Sequence, residues 1–315
     1  MSRAVRQQVA CTVTSEARGR IPGEGVELAF GYWPGRGLPV VALHGLTASY
    51  VNFIGVAERL AGRRPLLALD LRGRGDSEKP DGPYGMAQHA RDVAAAMRAM
   101  DLGPSVIVGH SMGAFISTAL AAQNPELVAG IIMIDGGYLL DTPLGINSEQ
   151  VIDAMLAQRI TQLSETYPSR EAYREFWRAR PHFPANDWGP WTEAFLDYEL
   201  GGEAPLLQPK ASEAAVRADV AESFQGPEIT ARLSSVKVPI VLLRATSGFT
   251  PDQPQLIPDA ALEQMRELLP SLEEETIPGT THYTIVLGDR GATRIADLIE
   301  EFTLRCQPAN GANRE

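Results

Sequence analysis

The feature that most narrows what this chain can become is a series of short, uninterrupted apolar runs, each paired with a stretch of helical periodicity. Val40-Val41-Ala42-Leu43, Pro65–Leu69, Val106-Ile107-Val108, Ile131-Ile132-Met133-Ile134 and Val238–Leu243 contain no polar side chain. A strand with one wet face alternates apolar and polar residues, so a run without alternation belongs to a strand covered on both faces. Helical patterns fall between these runs at 50–61, Met86–Met100 (stopped by Gly103) and Met112–Gln123, and Val26–Trp33 reads as a further strand. Strands alternating with helices in this way predict an α/β fold, a mostly parallel sheet flanked by helices.

The rhythm breaks after Gly137. As far as Phe224 the patterns are helical only, at Glu149–Tyr167, Arg170–Ala179, Trp191–Leu200 and Glu213–Ala221. Alternation resumes with Val238–Leu243, then Asp259–Leu268, Glu274–Ile277 and a last helix at Gly291–Leu304. The expected organisation is a core domain of residues 1–136 and 226–315, with an inserted all-helical cap at 137–225. Such an insertion covers the carboxyl edge of the sheet, where open α/β sheets bind ligands.

Composition limits the function classes. The chain has 315 residues, 44 % hydrophobic and 21 % charged, which is the mix of a globular protein and not of a disordered one. With 28 Lys and Arg against 39 Asp and Glu, the net charge is −11 and the pI about 5.0. That balance provides no basic footprint for nucleic acid and is repelled by an anionic membrane. Cys11 and Cys306 could form one bridge at most and read as reduced thiols of a cytoplasmic protein. The start of the chain has no apolar signal segment, since Thr12, Thr14, Ser15 and Glu16 interrupt it, and no run approaches membrane-spanning length. Residues 307–315 read as a disordered end.

The chemistry is concentrated in Gly109-His110-Ser111-Met112-Gly113. This G-x-S-x-G follows the strand Val106-Ile107-Val108 and opens the helix near Met112, the strand–turn–helix setting in which such a serine becomes a nucleophile. The turn is so sharp that its flanking positions must lack a Cβ, and it lifts the hydroxyl to a helix N-terminus, where backbone N–H groups favour a developing oxyanion. After Val40–Leu43, His44-Gly45-Leu46-Thr47 supplies a second tight turn. The N–H groups of Leu46 and Met112 are therefore the expected oxyanion donors, while His44 reads as a structural residue of its turn.

The serine needs a base, and five histidines are available. His89 and His182 lie in helical or cap segments and read as packing or surface positions, and His110 is the nucleophile's own neighbour, pointing elsewhere. His282, in Pro278-Gly279-Thr280-Thr281-His282-Tyr283, follows the last strand and so returns to the edge that carries Ser111. Two acids compete to orient it. Asp135 ends the strand Ile131–Ile134 on that same edge, and a carboxylate there needs a partner such as an imidazole. Asp252, the fallback, lies in a proline-flanked loop beyond Val238–Leu243 and would have to fold back. Asp70 and Arg72 read as a structural ion pair or turn element.

His44-Gly45-Leu46, Asp70-Leu71-Arg72-Gly73-Arg74-Gly75-Asp76-Ser77, GHSMG and the late G-x-x-H, each after a successive strand, resemble the α/β-hydrolase fold superfamily over nearly all of the chain outside the cap. The order Ser, acid, His is the one that fold uses. A serine at position 111 instead of an aspartate separates the chain from the epoxide-hydrolase and haloalkane-dehalogenase branches and makes it similar to the esterase, lactonase and carbon–carbon-hydrolase branches. Many members carry the acid after the strand equivalent to Val238–Leu243, where this chain has none before Asp252. Others, including certain lipases and fungal lactone hydrolases, use the position of Asp135.

The resemblance implies a serine hydrolase without a cofactor or metal, cleaving an apolar carboxylic ester or lactone through an acyl-enzyme. The alternatives are a carbon–carbon or thioester bond on the same triad, or a low-turnover receptor for a small molecule. The cap is rich in aromatics, and Trp177, Trp188 and Trp191 with Tyr283 are the expected substrate wall. The expected partners are that small substrate and, at most, a second copy of the chain in a homodimer.

Overall fold

The structure, a computed structural model, describes residues 17–138, 157, 160–223 and 226–306. Cys11, the chain end beyond 306 and most of the helix expected at 149–167 lie outside the described residues.

Among the described residues eight strands form one sheet: β1 (Ala17–Pro22), β2 (Glu27–Trp33), β3 (Val40–Leu43), β4 (Leu66–Leu69), β5 (Ser105–His110), β6 (Val128–Ile134), β9 (Ile240–Ala245) and β10 (Glu273–Ile277), in the order β1-β2-β4-β3-β5-β6-β9-β10. β1 and β2 are antiparallel at one edge, and every pairing from β4 to β10 is parallel. The expected α/β-hydrolase fold is the one observed. β1 carries no sequence signal, because only Ala17, Ile21 and their neighbours across β2 give it a buried side, and its Arg18 and Arg20 break any apolar run.

The apolar runs have the predicted cause. Alternate side chains of each strand enter opposite cores: Val41, Leu43, Ile107, Ile131, Met133 and Leu242 on one face, Val40, Ala42, Val106, Val108, Ile132 and Leu243 on the other. The first face is covered by α2 (Met86–Ala99), α3 (Met112–Gln123), α7 (Gly226–Ser235) and α8 (Asp259–Leu268). The second is covered by α1 (Ile54–Leu60), α9 (Thr284–Leu287) and α10 (Asp289–Cys306).

Between β6 and α7 the chain leaves the sheet. α4 (Arg170–Arg178), α5 (Pro190–Glu199) and α6 (Glu213–Ser223) form a cap, tied to the sheet's carboxyl edge by hydrogen bonds and ion pairs. The Tyr198 hydroxyl donates to Asp70 at 2.6 Å, and Lys210 pairs with Asp76 at 2.7 Å. The cap is not all-helical as expected: β7 (Leu200–Gly201) pairs antiparallel with β8 (Gln208–Pro209), extended by a bridge between Tyr167 and Leu207. Strands of two residues interrupted by glycine and proline carry no periodic signal, so they read as loop.

Candidate active site

The carboxyl ends of β3, β5, β6 and the β10–α9 loop converge on one cavity of about 560 Å³, lined by Leu46, Ser111, Met112, Asp135, His282 and Tyr283 among others. Ser111 sits between β5 and α3 with φ 55° and ψ −117°, a positive-φ backbone that a non-glycine residue adopts only under constraint. The constraint is visible. Its N–H donates to Ile134 O (2.9 Å) and its carbonyl accepts from Ala114 N (3.0 Å). A Cβ at Gly113 would overlap the Leu43 carbonyl, and one at Gly109 would overlap Gly113 O. The two flanking glycines are thus steric requirements of the turn, and α3 starts directly behind the hydroxyl.

The turn after β3 closes on the same serine. A Cβ built on Gly45 would lie 3.2 Å from Ser111 Cβ and 3.6 Å from its Oγ. The Gly45 carbonyl accepts from His44 Nδ1 (2.7 Å) and from Ala48 N (3.3 Å). In a trans peptide the N–H lies opposite the carbonyl, so the Leu46 N–H points away from His44. His44 Nε2 accepts from Leu71 N at 3.0 Å, and burial, the largest influence, pulls its pKa down to about 3. His44 is a neutral, fully bonded brace of the turn.

His282 is 4 % exposed, and its Nδ1 lies 2.7 Å from Asp135 Oδ2. A carboxylate only accepts, so Nδ1 carries a proton in this bond. Asp135 also has a positive φ of 47°; its N–H donates to Leu243 O (2.8 Å) and its other oxygen accepts from Ala245 N (3.1 Å). Strand β9 therefore grips the acid through its backbone. Asp252 stands elsewhere: it is exposed and accepts from its neighbour Thr250 Oγ1 at 2.6 Å, which lowers its pKa.

His110 is turned toward His282: its Nε2 donates to the His282 carbonyl (2.9 Å) and its Nδ1 accepts from the Asn52 amide (3.2 Å). The two rings lie 4.7 Å apart at 35°. Burial, then the nearby His282, pushes the His110 pKa well below its ordinary value, in keeping with a neutral ring.

Of the cap residues, Trp177 lines the cavity and Trp188 and Trp191 do not. Trp191 faces the core domain, its Nε1 donating to Glu58 (2.8 Å) and its ring stacked by Arg59 (4.0 Å). Trp188 belongs to the cap's own packing, bonded to Glu193 (3.0 Å) and stacked by Arg178 (4.7 Å). A sequence shows that these positions are aromatic but not which way α5 and its approach turn them. The wall is supplied instead by Tyr167, Tyr173, Phe176, Phe183 and Phe195 with Phe249 from the core. His182, which read as a packing position, also lines the cavity beside Tyr283, their rings 5.6 Å apart.

Asp70 is a turn element but has no ion pair with Arg72. It accepts from Tyr50 N, Asp76 N (both 2.8 Å) and Tyr198, while Arg72 pairs with Asp92 at 2.6 Å. Burial raises the Asp70 pKa to about 6 in spite of these donors. Among the described residues no group of three or more His, Cys, Asp and Glu could hold a metal ion, and no helix is long and apolar enough to cross a membrane.

Residues 39–289 match the family described as alpha/beta hydrolase fold. The 2-(acetamidomethylene)succinate hydrolase of Mesorhizobium japonicum is 30 % identical over 250 residues, covering 79 % of this chain and 83 % of that one. A crystal structure of E-2-(acetamidomethylene)succinate hydrolase superposes with a TM-score of 0.76 at 26 % identity, over 91 % of this chain and 100 % of the other. The N-formylmaleamate deformylase of Pseudomonas putida is 24 % identical over 270 residues, 85 % of this chain and 91 % of the relative.

Proposed function

The chain belongs to the alpha/beta hydrolase fold family, and on that premise we propose that it is a cofactor-independent serine hydrolase of an apolar carboxylic ester or lactone. The observation that carries this reading is the 2.7 Å bond from His282 Nδ1 to Asp135 on the wall of the cavity that also contains Ser111. His282 Nε2 takes the proton of Ser111 Oγ as the oxygen attacks the acyl carbon, and Asp135 stabilises the imidazolium that forms. The Leu46 and Met112 N–H groups receive the oxyanion. Collapse of the tetrahedral adduct expels the alcohol oxygen, which takes the proton from His282 and leaves the acyl group on Ser111. Water, deprotonated by the same imidazole, then releases the acid and restores the serine.

The cavity supports an uncharged substrate. Among its described lining residues Lys210 is the one Lys or Arg, and it is already paired with Asp76, while the wall is mostly aromatic and aliphatic. A second reading comes from the relatives, whose names describe hydrolysis of a succinate bearing an acetamido group and removal of a formyl group from a maleamate. An acylated nitrogen could be attacked by the same serine. Their anionic substrates would find little cationic complement in this wall.

The test is a burst experiment with p-nitrophenyl butyrate and labelling by a fluorophosphonate, compared with turnover of 2-(acetamidomethylene)succinate. Burst release and a covalent adduct on Ser111, both lost in Ser111→Ala with thermal stability kept, is the expected result. More than a tenth of the wild-type kcat in Ser111→Ala would overturn the assignment, and a preference for the anionic amide would move it to the second reading.

A further inference from the structure

Behind the turn that carries Leu46 lies a buried charge cluster with no part in the proton transfers above. Arg74, in the loop after β4, is 0 % exposed, as are His89 of α2 and Asp219 of the cap helix α6. The Arg74 guanidinium makes three contacts that matter here. Nε donates to the carbonyl of Leu46 at 2.8 Å, Nη1 donates to Arg72 O at 3.1 Å, and Nη1 pairs with Asp219 Oδ2 at 2.5 Å. Asp219 also bonds His89 Nε2 (2.9 Å) and the Gly85 N–H (2.7 Å). Burial works to raise the Asp219 pKa, but Arg74 and then His89 outweigh it and hold the carboxyl at about 2.

A fully buried ion pair is costly to desolvate and persists only with good geometry; among the described residues Arg74 Nη2 and His89 Nδ1 have no hydrogen-bond partner. Here that geometry converges on one residue of the candidate oxyanion hole. The Leu46 carbonyl is held by Arg74, its side chain packs against Val216 and Val220 of α6, and the Gly45 carbonyl before it is held by His44 and Ala48. With the peptide units on both sides of its Cα fixed, Leu46 has little freedom left to turn its N–H.

We propose that Arg74, oriented by Asp219 of the cap, is a positioning residue that aims the Leu46 N–H at the oxyanion, so that seating the cap completes the oxyanion hole. The inference rests on the serine-hydrolase reading. Substituting Asp219 by Asn leaves Arg74 as a buried cation without its counter-charge, and the guanidinium is drawn toward water and off the Leu46 carbonyl. Loss of a whole oxyanion donor costs roughly 10²–10³ in kcat, so a misaimed donor should cost about 10–100-fold.

The experiment measures kcat and KM for p-nitrophenyl butyrate and the affinity of an alkyl boronic acid, whose tetrahedral adduct with Ser111 fills the oxyanion hole. Asp219→Asn and Arg74→Lys should lower kcat by about 10–100-fold with KM within about threefold, and weaken the boronate by the same factor as kcat. Should a stranded charge prevent folding, the double variant Arg74→Met with Asp219→Leu removes both charges at once and should show the same paired loss. In the wild-type protein, boronate binding should shift the Leu46 amide and Arg74 Nε–H NMR signals together. A folded variant with kcat within threefold of wild type, a loss of stability without selective loss of boronate affinity, or a Leu46 shift with Arg74 unmoved would each overturn the proposal. Absence of the burst or of labelling in the wild-type protein would instead remove the serine-hydrolase reading itself.

Discussion

Replacing Asp135 by Asn tests the acid of the proposed triad more sharply than its deletion, because the structure dictates how the new amide must sit. Asp135 uses one oxygen toward His282 Nδ1 (2.7 Å) and the other toward the Ala245 N–H (3.1 Å). An amide has one acceptor and one donor end, and the Ala245 N–H, part of β9, cannot turn away. The carbonyl end of the substituted side chain must therefore face Ala245, which leaves its NH2 facing His282. Imidazole can accept that bond only with its proton moved to Nε2, the tautomer unable to take a proton from Ser111. The side-chain volume is unchanged, so folding should be nearly unaffected. An arrangement of this kind in another serine hydrolase loses about 10⁴ in kcat, which corresponds to about 5.4 kcal/mol of barrier. We expect a fall in kcat of about 10³–10⁴ for p-nitrophenyl butyrate at neutral pH, with KM within a few fold and an unchanged thermal midpoint. Nitrogen-15 NMR of His282 should show the proton move from Nδ1 to Nε2. Asp252→Asn, at an exposed side chain bonded only locally among the described contacts, should keep kcat within about twofold. A kcat above a tenth of wild type in Asp135→Asn, or a larger loss in Asp252→Asn, would refute the reasoning.

The remaining predictions follow from packing and burial. Gly113→Ala places a methyl against the Leu43 carbonyl, so the elbow must shift; we expect about 3 kcal/mol or more of destabilisation in urea melts together with loss of burst activity. Tyr198→Phe removes a donor to the Asp70 carboxylate, whose pKa burial already raises from 3.8 to about 6. A raised carboxyl pKa means that wild-type stability from this group falls as pH rises from about 4 to 6, and the lost bond matters most once Asp70 is ionised. The variant's thermal midpoint should therefore trail wild type by roughly 4 °C at pH 8 and by roughly half of that at pH 5, and an equal deficit at both values would contradict it. Trp177→Ala, on the cavity wall, should widen the range of acyl chain lengths accepted. Trp191→Ala, which loses Glu58 and Arg59, should weaken the cap by about 1–2 kcal/mol without changing chain-length preference, and a reversed pattern would show the two indoles misassigned.

Local rules sufficed for the long buried strands and for the nucleophile turn, though not for β1 or the two-residue strands of the cap. Apolar runs such as Val40–Leu43 and Ile131–Ile134 announced strands buried on both faces, because alternation disappears when both sides of a pleat are dry. The strand–Gly–x–Ser–x–Gly–helix order announced the elbow, because only glycines fit beside the Leu43 and Gly113 carbonyls. Position in the chain also brought forward Ser111 and Asp135 at strand ends and His282 in the loop after the last strand, all on one edge. Tertiary contacts decided the rest. That Asp135, and not Asp252, stands against His282 depends on β6 lying beside β9, whose Ala245 N–H holds the carboxylate from more than a hundred residues away in sequence. That Trp191 braces α1 while Phe183 faces the cavity depends on how the cap is rotated, and periodicity reports a buried stripe without saying what buries it. The pairing of Arg74 with Asp219 joins two segments that the sequence keeps 145 residues apart (219 − 74), a contact that exists only once the cap is seated on the sheet.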